Sequence, residues 1–290
     1  MAVAVVAVSL SGPLMAASAV PALAIAFWRN GFATIALAPA ALTGRRSELS
    51  GLGRRQLGLI GLSGAALALH FGTWVTSLTL TSVASATALV CLQLAWIVAW
   101  QLVRGQRFGP RVVVGLVLAF SGVLVVSGVD FSLSARALAG DGLALLGGLF
   151  AGVYTVLGSQ ARRTASTTTY TFVCYGVCAA LLLGACLVAG QPLGGYPLRQ
   201  WGLLLLVTLT AQLLGHSVLN HLLATTSPMA VSLALLLEVP GAALLAALLL
   251  GQRPPPAALL GLAVMLVGMV LVVLGNRGGV AAPLLEAPPD

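Results

Sequence analysis

The chain has 290 residues, of which 59% are hydrophobic and only 7% charged, with a formal net charge of +8. A soluble domain carries about a quarter charged residues, so this composition excludes an ordinary globular domain and reads as a polytopic α-helical membrane protein. The positive charge forms no basic helix or basic tail and sits in short connections between apolar runs, which argues against nucleic acid as a partner.

From the N-terminus, the first apolar run covers about 2–18 and is interrupted by Pro13. It lacks the basic start of a secretory signal and therefore reads as a first membrane span. Further runs cover about 21–43, 56–79, 83–103 and 111–129. After a polar stretch at 130–138 they resume at about 139–160, 168–189, 201–222, 228–250 and 257–275. Each is close to the length that crosses a hydrocarbon core, so the expectation is ten spans within one membrane domain covering 1–290. Cys91, Cys174, Cys178 and Cys186 all lie inside apolar runs without metal-site or disulfide spacing, and read as small buried hydrophobes. All fourteen basic residues are Arg, which with the Ala, Gly and Pro richness hints at a GC-rich bacterial genome.

The arginines set the expected orientation. With a cytoplasmic N-terminus, the inner connections hold Arg45, Arg46, Arg54, Arg55, Arg104, Arg107, Arg111, Arg162, Arg163 and Arg277, whereas the outer ones hold only Arg136, Arg199 and Arg253. That bias follows the positive-inside rule and puts both termini, including a short tail at 277–290, in the cytoplasm.

A repeat organises the whole. Gly105-Gln106-Arg107, Pro110, Gly115 and Gly122 return as Gly251-Gln252-Arg253, Pro256, Gly261 and Gly268. The offset of 146 residues runs without a gap back to His70 and His216, with Thr79/Thr225, Ala84/Ala230 and Leu89/Leu235 identical on the way. The halves are then repeat one at 1–129 and repeat two at 139–276, joined by the linker 130–138. Five spans per half is an odd number, so the second half must be inserted upside down, a plan common among secondary transporters. Arg253 on the outer side is then inherited from the repeat.

These features resemble the EamA-type drug/metabolite transporter superfamily, including its aromatic amino acid exporters. The resemblance rests on ten helices in two halves, each closing on Gly-polar-x-x-x-Pro followed by two glycines. It rests also on Arg29 in the second span, Thr81-Ser82-Val83-Ala84-Ser85-Ala86 opening the fourth, and Leu237-Glu238-Val239-Pro240 in the ninth. Gln106 and Gln252 stand where the family usually carries Glu, and Val239 separates an often adjacent Glu-Pro pair. The resemblance implies movement of small metabolites, often amino acids or amphiphilic compounds and usually outward, across a bacterial inner membrane.

Polar groups inside spans are candidates for function. Thr208, Gln212, His216 and Asn220 fall four apart in the eighth span and form one stripe on an α-helix, while His221 faces elsewhere. His70 and Trp74 in the third span are repeat equivalents of His216 and Asn220. Gln93 and Trp96 in the fourth span, with Tyr154 in the sixth, would frame an aromatic, hydrogen-bonding wall; Trp100 belongs to the interfacial belt. For each histidine the alternative is a neutral packing residue. A metal site is not expected, since one histidine per helix faces inward with no acidic neighbour on the stripe. Arg29 and Glu238 lie about 12 and 15 Å deep at 1.5 Å per residue, near the midplane. They either pair with each other or hold a zwitterionic substrate, and Glu238 is the best proton-coupling candidate. Pro13, Pro39 and Pro240 can hinge helices. Gly115, Gly122, Gly261 and Gly268 allow the fifth and tenth spans to approach closely, bracing the halves or forming a dimer surface.

The expected function is a secondary transporter working by alternating access, with no catalytic residue or cofactor and with a small molecule, membrane lipid and protons as partners, as a monomer or homodimer. A rival reading is an intramembrane lipid-modifying enzyme using His/Glu acid–base chemistry, for which the loops are too short to supply a headgroup site. A non-transporting scaffold would call for larger extramembrane segments.

Overall fold

The computed structural model describes residues 1–276, so Arg277 and the tail lie outside the described residues. Helices follow one another in the order α1 (Ala2–Ala16), α2 (Ala22–Pro39), α3 (Arg54–Ser77), α4 (Val83–Val103) and α5 (Pro110–Leu133), then α6 (Ala135–Ala161), α7 (Thr167–Val188), α8 (Leu198–Leu222), α9 (Pro228–Leu235 and Glu238–Leu250) and α10 (Pro256–Asn276). Among the described residues there is no strand. Five helices, α3, α4, α6, α7 and α8, are long and apolar enough to cross a membrane, and shorter apolar helices accompany them. Large apolar side chains such as Ile35, Leu57, Val117, Leu209 and Leu248 stand exposed on the outside of the bundle. A protein in water does not present so many, whereas lipid accepts them.

Local chemistry explains the boundaries. Ser82, Ser134 and Ser166 cap α4, α6 and α7 through side-chain oxygens that accept from the backbone N–H groups of Ser85, Ala137 and Thr169. The cap at Ser134 contracts the expected linker: α5 runs to Leu133 and α6 begins at Ala135, so one residue separates them. Pro39 has no N–H to offer Ile35, and the chain passes from α2 into a π-helical turn, Ala40–Gly44. A short helical turn, Arg46–Ser50, follows, and its Glu48 carboxylate accepts from the Ser166 N–H at 2.7 Å and from its Oγ at 2.7 Å. Partial burial pushes that carboxyl up, but the Ser166 hydrogen bonds and nearby Arg45 outweigh it and hold Glu48 below the usual carboxylate range.

The repeated turn places a left-handed glycine in both halves. Gly105 and Gly251 both have positive φ, 80° and 66°, which a side chain would disfavour. The turn also ties one half to the other, because Gln252 Oε1 accepts from the N–H of Val83 at 3.1 Å, at the start of α4.

The principal packings are α5 along α10, α3 along α6, α2 along α7, α3 along α7, α1 along α8, α4 along α6 and α4 along α9. Replacing every helix by the one five places along returns pairings that are again observed: α3·α6 becomes α8·α1, α3·α7 becomes α8·α2, and α4·α6 becomes α9·α1. In the α5–α10 pair the glycines meet backbone to backbone. A Cβ on Gly268 would lie 2.4 Å from Ala119 N, and one on Gly115 would lie 2.5 Å from Gly268 O. Gly122 is equally close to Gly261 O, at 2.5 Å.

Candidate functional site

Four helices lose regularity at one level of the bundle. α1 breaks at Leu10, giving Ala2–Ser9 and Ser11–Ala16. α4 breaks at Cys91–Leu92 and restarts at Gln93; α9 breaks at Leu236–Leu237 and restarts at Glu238. α8 winds as a π-helix over Thr208–Ser217. Proline accounts for two of these breaks: Pro13 and Pro240 each lie four residues after a carbonyl they cannot bond, those of Ser9 and Leu236. The break in α4 has no proline, and falls one residue out of step with that in α9 under the 146-residue offset.

A cavity sits where the irregular helices converge, offering about 50 Å³ to water-sized occupants. Ser11, Gln93 and Glu238, each the first residue after a break, line it together with His70, Trp74, Tyr154, Thr155, His216 and Asn220. Seven of the ten residues singled out from the sequence therefore meet in one space. Glu238 opens the helix segment Glu238–Leu250, so its carboxyl stands at the positive end of that segment's dipole.

The hydrogen bonds fix several of these groups. His70 Nδ1 lies 3.0 Å from the carbonyl oxygen of Gly147. A carbonyl only accepts, so Nδ1 carries the proton and Nε2 keeps the lone pair in the neutral ring. The His70 ring stacks on Trp74 at 5.6 Å and lies 6.4 Å from the His216 ring. His216 packs against Phe71 (5.4 Å) and Tyr154 (6.4 Å), so the repeat-related histidines share one aromatic enclosure. Tyr154 donates to Asn220 Oδ1 at 2.8 Å, and Asn220 Nδ2 donates to the Tyr175 oxygen at 3.2 Å. Trp74 Nε1 is buried without a hydrogen-bond partner among the described residues. A buried donor left alone costs about 1–3 kcal/mol, which a ligand acceptor would recover.

Arg29 lies behind this wall, fully buried. Its Nε donates to Gln212 Oε1 at 2.9 Å, its Nη1 donates to Ser11 Oγ at 3.1 Å, and its guanidinium covers the Phe71 ring at 4.1 Å. Gln212 Nε2 donates in turn to Asn30 Oδ1 at 3.1 Å. Nη2 has no partner among the described residues. Arg29 thus engages α1, α3 and α8 rather than Glu238, and among the described residues no ion pair joins the two. The cavity touches Arg29's network only through Ser11.

Two candidates therefore stand outside the cavity lining besides Arg29. Gln212 faces α2 because the π winding of α8 takes more residues per turn than an α-helix. Residues four apart there no longer stack, and the expected stripe splits, with Gln212 turned to Arg29 and His216 and Asn220 turned to the cavity. Trp96 is exposed on the opposite flank of α4, in a lateral cleft against α6. His221 is also exposed, its Nδ1 3.2 Å from Thr167 Oγ1. Sequence reasoning passed over Ser11, whose signal was a small polar residue two before Pro13. It also assigned Arg162 to a loop; that residue is fully buried, donating through Nε to the Asn220 carbonyl at 3.1 Å and through Nη1 to the Ala165 carbonyl.

Comparison with known proteins gives this arrangement its context. A solved crystal structure of a protein 20% identical in sequence superposes with a TM-score of 0.66, over 95% of this chain and 98% of that one, which establishes a shared fold. A protein of Archaeoglobus fulgidus described as an uncharacterized transporter is 27% identical over 166 residues. That match covers 57% of this chain and 52% of the relative, so it spans about half the relative's length. The model of the EamA-like transporter family matches residues 1–128 and again 138–274, one copy in each half. With two matched copies filling nearly the whole sequence, this chain belongs to the EamA-like transporter family, a family of transporters rather than enzymes.

Proposed function

We propose that this transporter exports amino acids, aromatic or bulky apolar ones foremost, by alternating access in a bacterial inner membrane. One observation carries the substrate class: two buried groups of opposite charge type, Arg29 and Glu238, lie at the same central level without pairing. Unpaired charge in a low-dielectric interior costs several kcal/mol, so the arrangement favours a ligand that carries both signs. The ammonium of an amino acid would meet Glu238. Its carboxylate would meet Ser11, Trp74 Nε1 and, through Ser11, Arg29. The Trp74, Tyr154 and His216 rings would enclose the side chain.

The cavity is the size of a few waters, and an aromatic side chain fits only if the helices part. Helix pairings that survive exchange of each helix for the one five along support two inverted halves of five spans, rocking about the cavity. The arginine bias supports cytoplasmic termini. Glu238 is the group to exchange a proton for substrate. The test is a flux panel in proteoliposomes, with labelled amino acids and amphiphilic cations, with and without a proton gradient. Movement of aromatic amino acids, accelerated by the gradient, is expected; movement of cations alone would sink the amino acid reading, and movement of nothing on the panel would sink both.

A further inference from the structure

We propose that the lateral cleft between α4 and α6 seats one acyl chain of an anionic phospholipid, held by Arg104 at its mouth. The cleft offers about 510 Å³ and is lined by Trp96, Ala99, Trp100 and Val103 from α4 and by Val153 and Val156 among others from α6. Its lining is apolar except for Gln160, at the end where both helices finish. A zwitterionic solute finds no partners there, whereas a hydrocarbon chain needs none.

Length and charge identify the occupant. From Leu149 to Gln160 the cleft runs eleven residues of helix, about 16 Å at 1.5 Å per residue, close to one leaflet of a roughly 30 Å core. At Gly152 the two helices come close, a built Cβ lying 3.5 Å from the Trp96 Cβ. At the open end the guanidinium of Arg104 lies 5.9 Å from the Trp100 ring centroid, and Arg107 and Arg163 follow in the adjoining connections. Cations gathered where a lipid headgroup would sit select a net negative one. The proposal is independent of what the central cavity carries.

Bromine on an acyl chain quenches tryptophan at contact range, and Trp96 and Trp100 are the exposed indoles of the cleft. The full chain is reconstituted in phosphatidylcholine vesicles containing a small fraction of brominated phosphatidylglycerol or brominated phosphatidylcholine. The double variant Trp96→Phe/Trp100→Phe supplies the signal of the other tryptophans for subtraction. Quenching by the anionic lipid is expected at about fivefold lower mole fraction than by the zwitterionic one, as one arginine near a headgroup implies. The preference should vanish in Arg104→Gln, and Ala99→Phe, which fills the cleft, should reduce quenching by both lipids. Equal quenching by the two lipids in the unsubstituted chain would overturn the proposal, leaving ordinary annular contact. So would quenching unchanged by Ala99→Phe, or absence of quenching by either lipid, the result if a second copy of the chain covers the cleft.

Discussion

The α5–α10 pair and the α1–α4–α8–α9 cluster are built from the same apolar residue types, yet they treat the backbone in opposite ways. In the pair, each helix keeps its internal hydrogen bonds and glycines bring the two backbones so close that no side chain fits between them. In the cluster, the helices are broken or rewound, and polar side chains occupy the breaks. An unsatisfied peptide group costs several kcal/mol in lipid, so irregular backbone survives only where protein or a cavity supplies partners. On the mechanism proposed above, the regular helices locked by glycine would serve as the fixed part, and the interrupted helices, which carry the polar groups, as the part that changes.

This contrast can be broken at several points. Gly268→Leu should have the largest effect, since its Cβ alone would lie 2.4 Å from backbone. A loss of about 3 kcal/mol or more is expected, seen as collapse of monodisperse folded yield in detergent. A well-folded variant would show that the α5–α10 seam is not rigid. In the cluster, His70→Ala with His216→Ala should instead leave folded yield near normal and lower amino acid flux about tenfold or more, the scale of losing one or two hydrogen-bonded contacts. Normal flux would return both rings to a packing role.

Tyr154→Phe removes the hydroxyl that donates to Asn220 while keeping the ring beside His216. It should cost about 1 kcal/mol, read as a several-fold rise in the half-saturating substrate concentration, with maximal flux kept. An unchanged concentration dependence would separate the Asn220 network from binding. The smallest effect is expected far from both regions, at Glu48. Its carboxyl is held low in the fold, so its contribution is present above the unfolded carboxylate range and is lost as pH falls through the depressed folded value. Glu48→Gln should lower Tm by about 2–4 °C at neutral pH, and the difference should close in acid. A gap that persisted in acid would assign the effect to the side chain's shape.

How far the sequence reached follows the same divide. Helix positions, the duplication and the α5–α10 contact were legible, because apolar run length, Gly/Pro spacing and a fixed offset report regular backbone directly. The meeting of His70 with His216 was legible through that offset. The split of the α8 stripe was not, because a π winding leaves no residue signature in Thr208–Ser217, and four-residue spacing marks one face only on an α-helix. The α4 break at Cys91–Leu92 was hidden for want of a proline, whereas Pro13 and Pro240 did mark theirs. Trp96 lines the lateral cleft rather than the wall expected with Gln93, because its spacing on α4 does not say which flank meets lipid, where an exposed indole costs little. Arg162 counts in the sequence only as an arginine of an inner connection, and the fold shows it reaching the Asn220 carbonyl.

The central claim is that the breaks in α1, α4 and α9 frame the transported substrate, with Glu238 facing its ammonium group. The most direct measurement is counterflow of labelled phenylalanine in proteoliposomes containing the unsubstituted chain or Glu238→Gln, with folded yield and oligomeric state matched. The account predicts saturable counterflow with the unsubstituted chain and at least a tenfold loss of rate at low substrate in the variant, the cost of removing one charged hydrogen bond. Equal counterflow by both proteins would contradict it and move the substrate away from the broken helices.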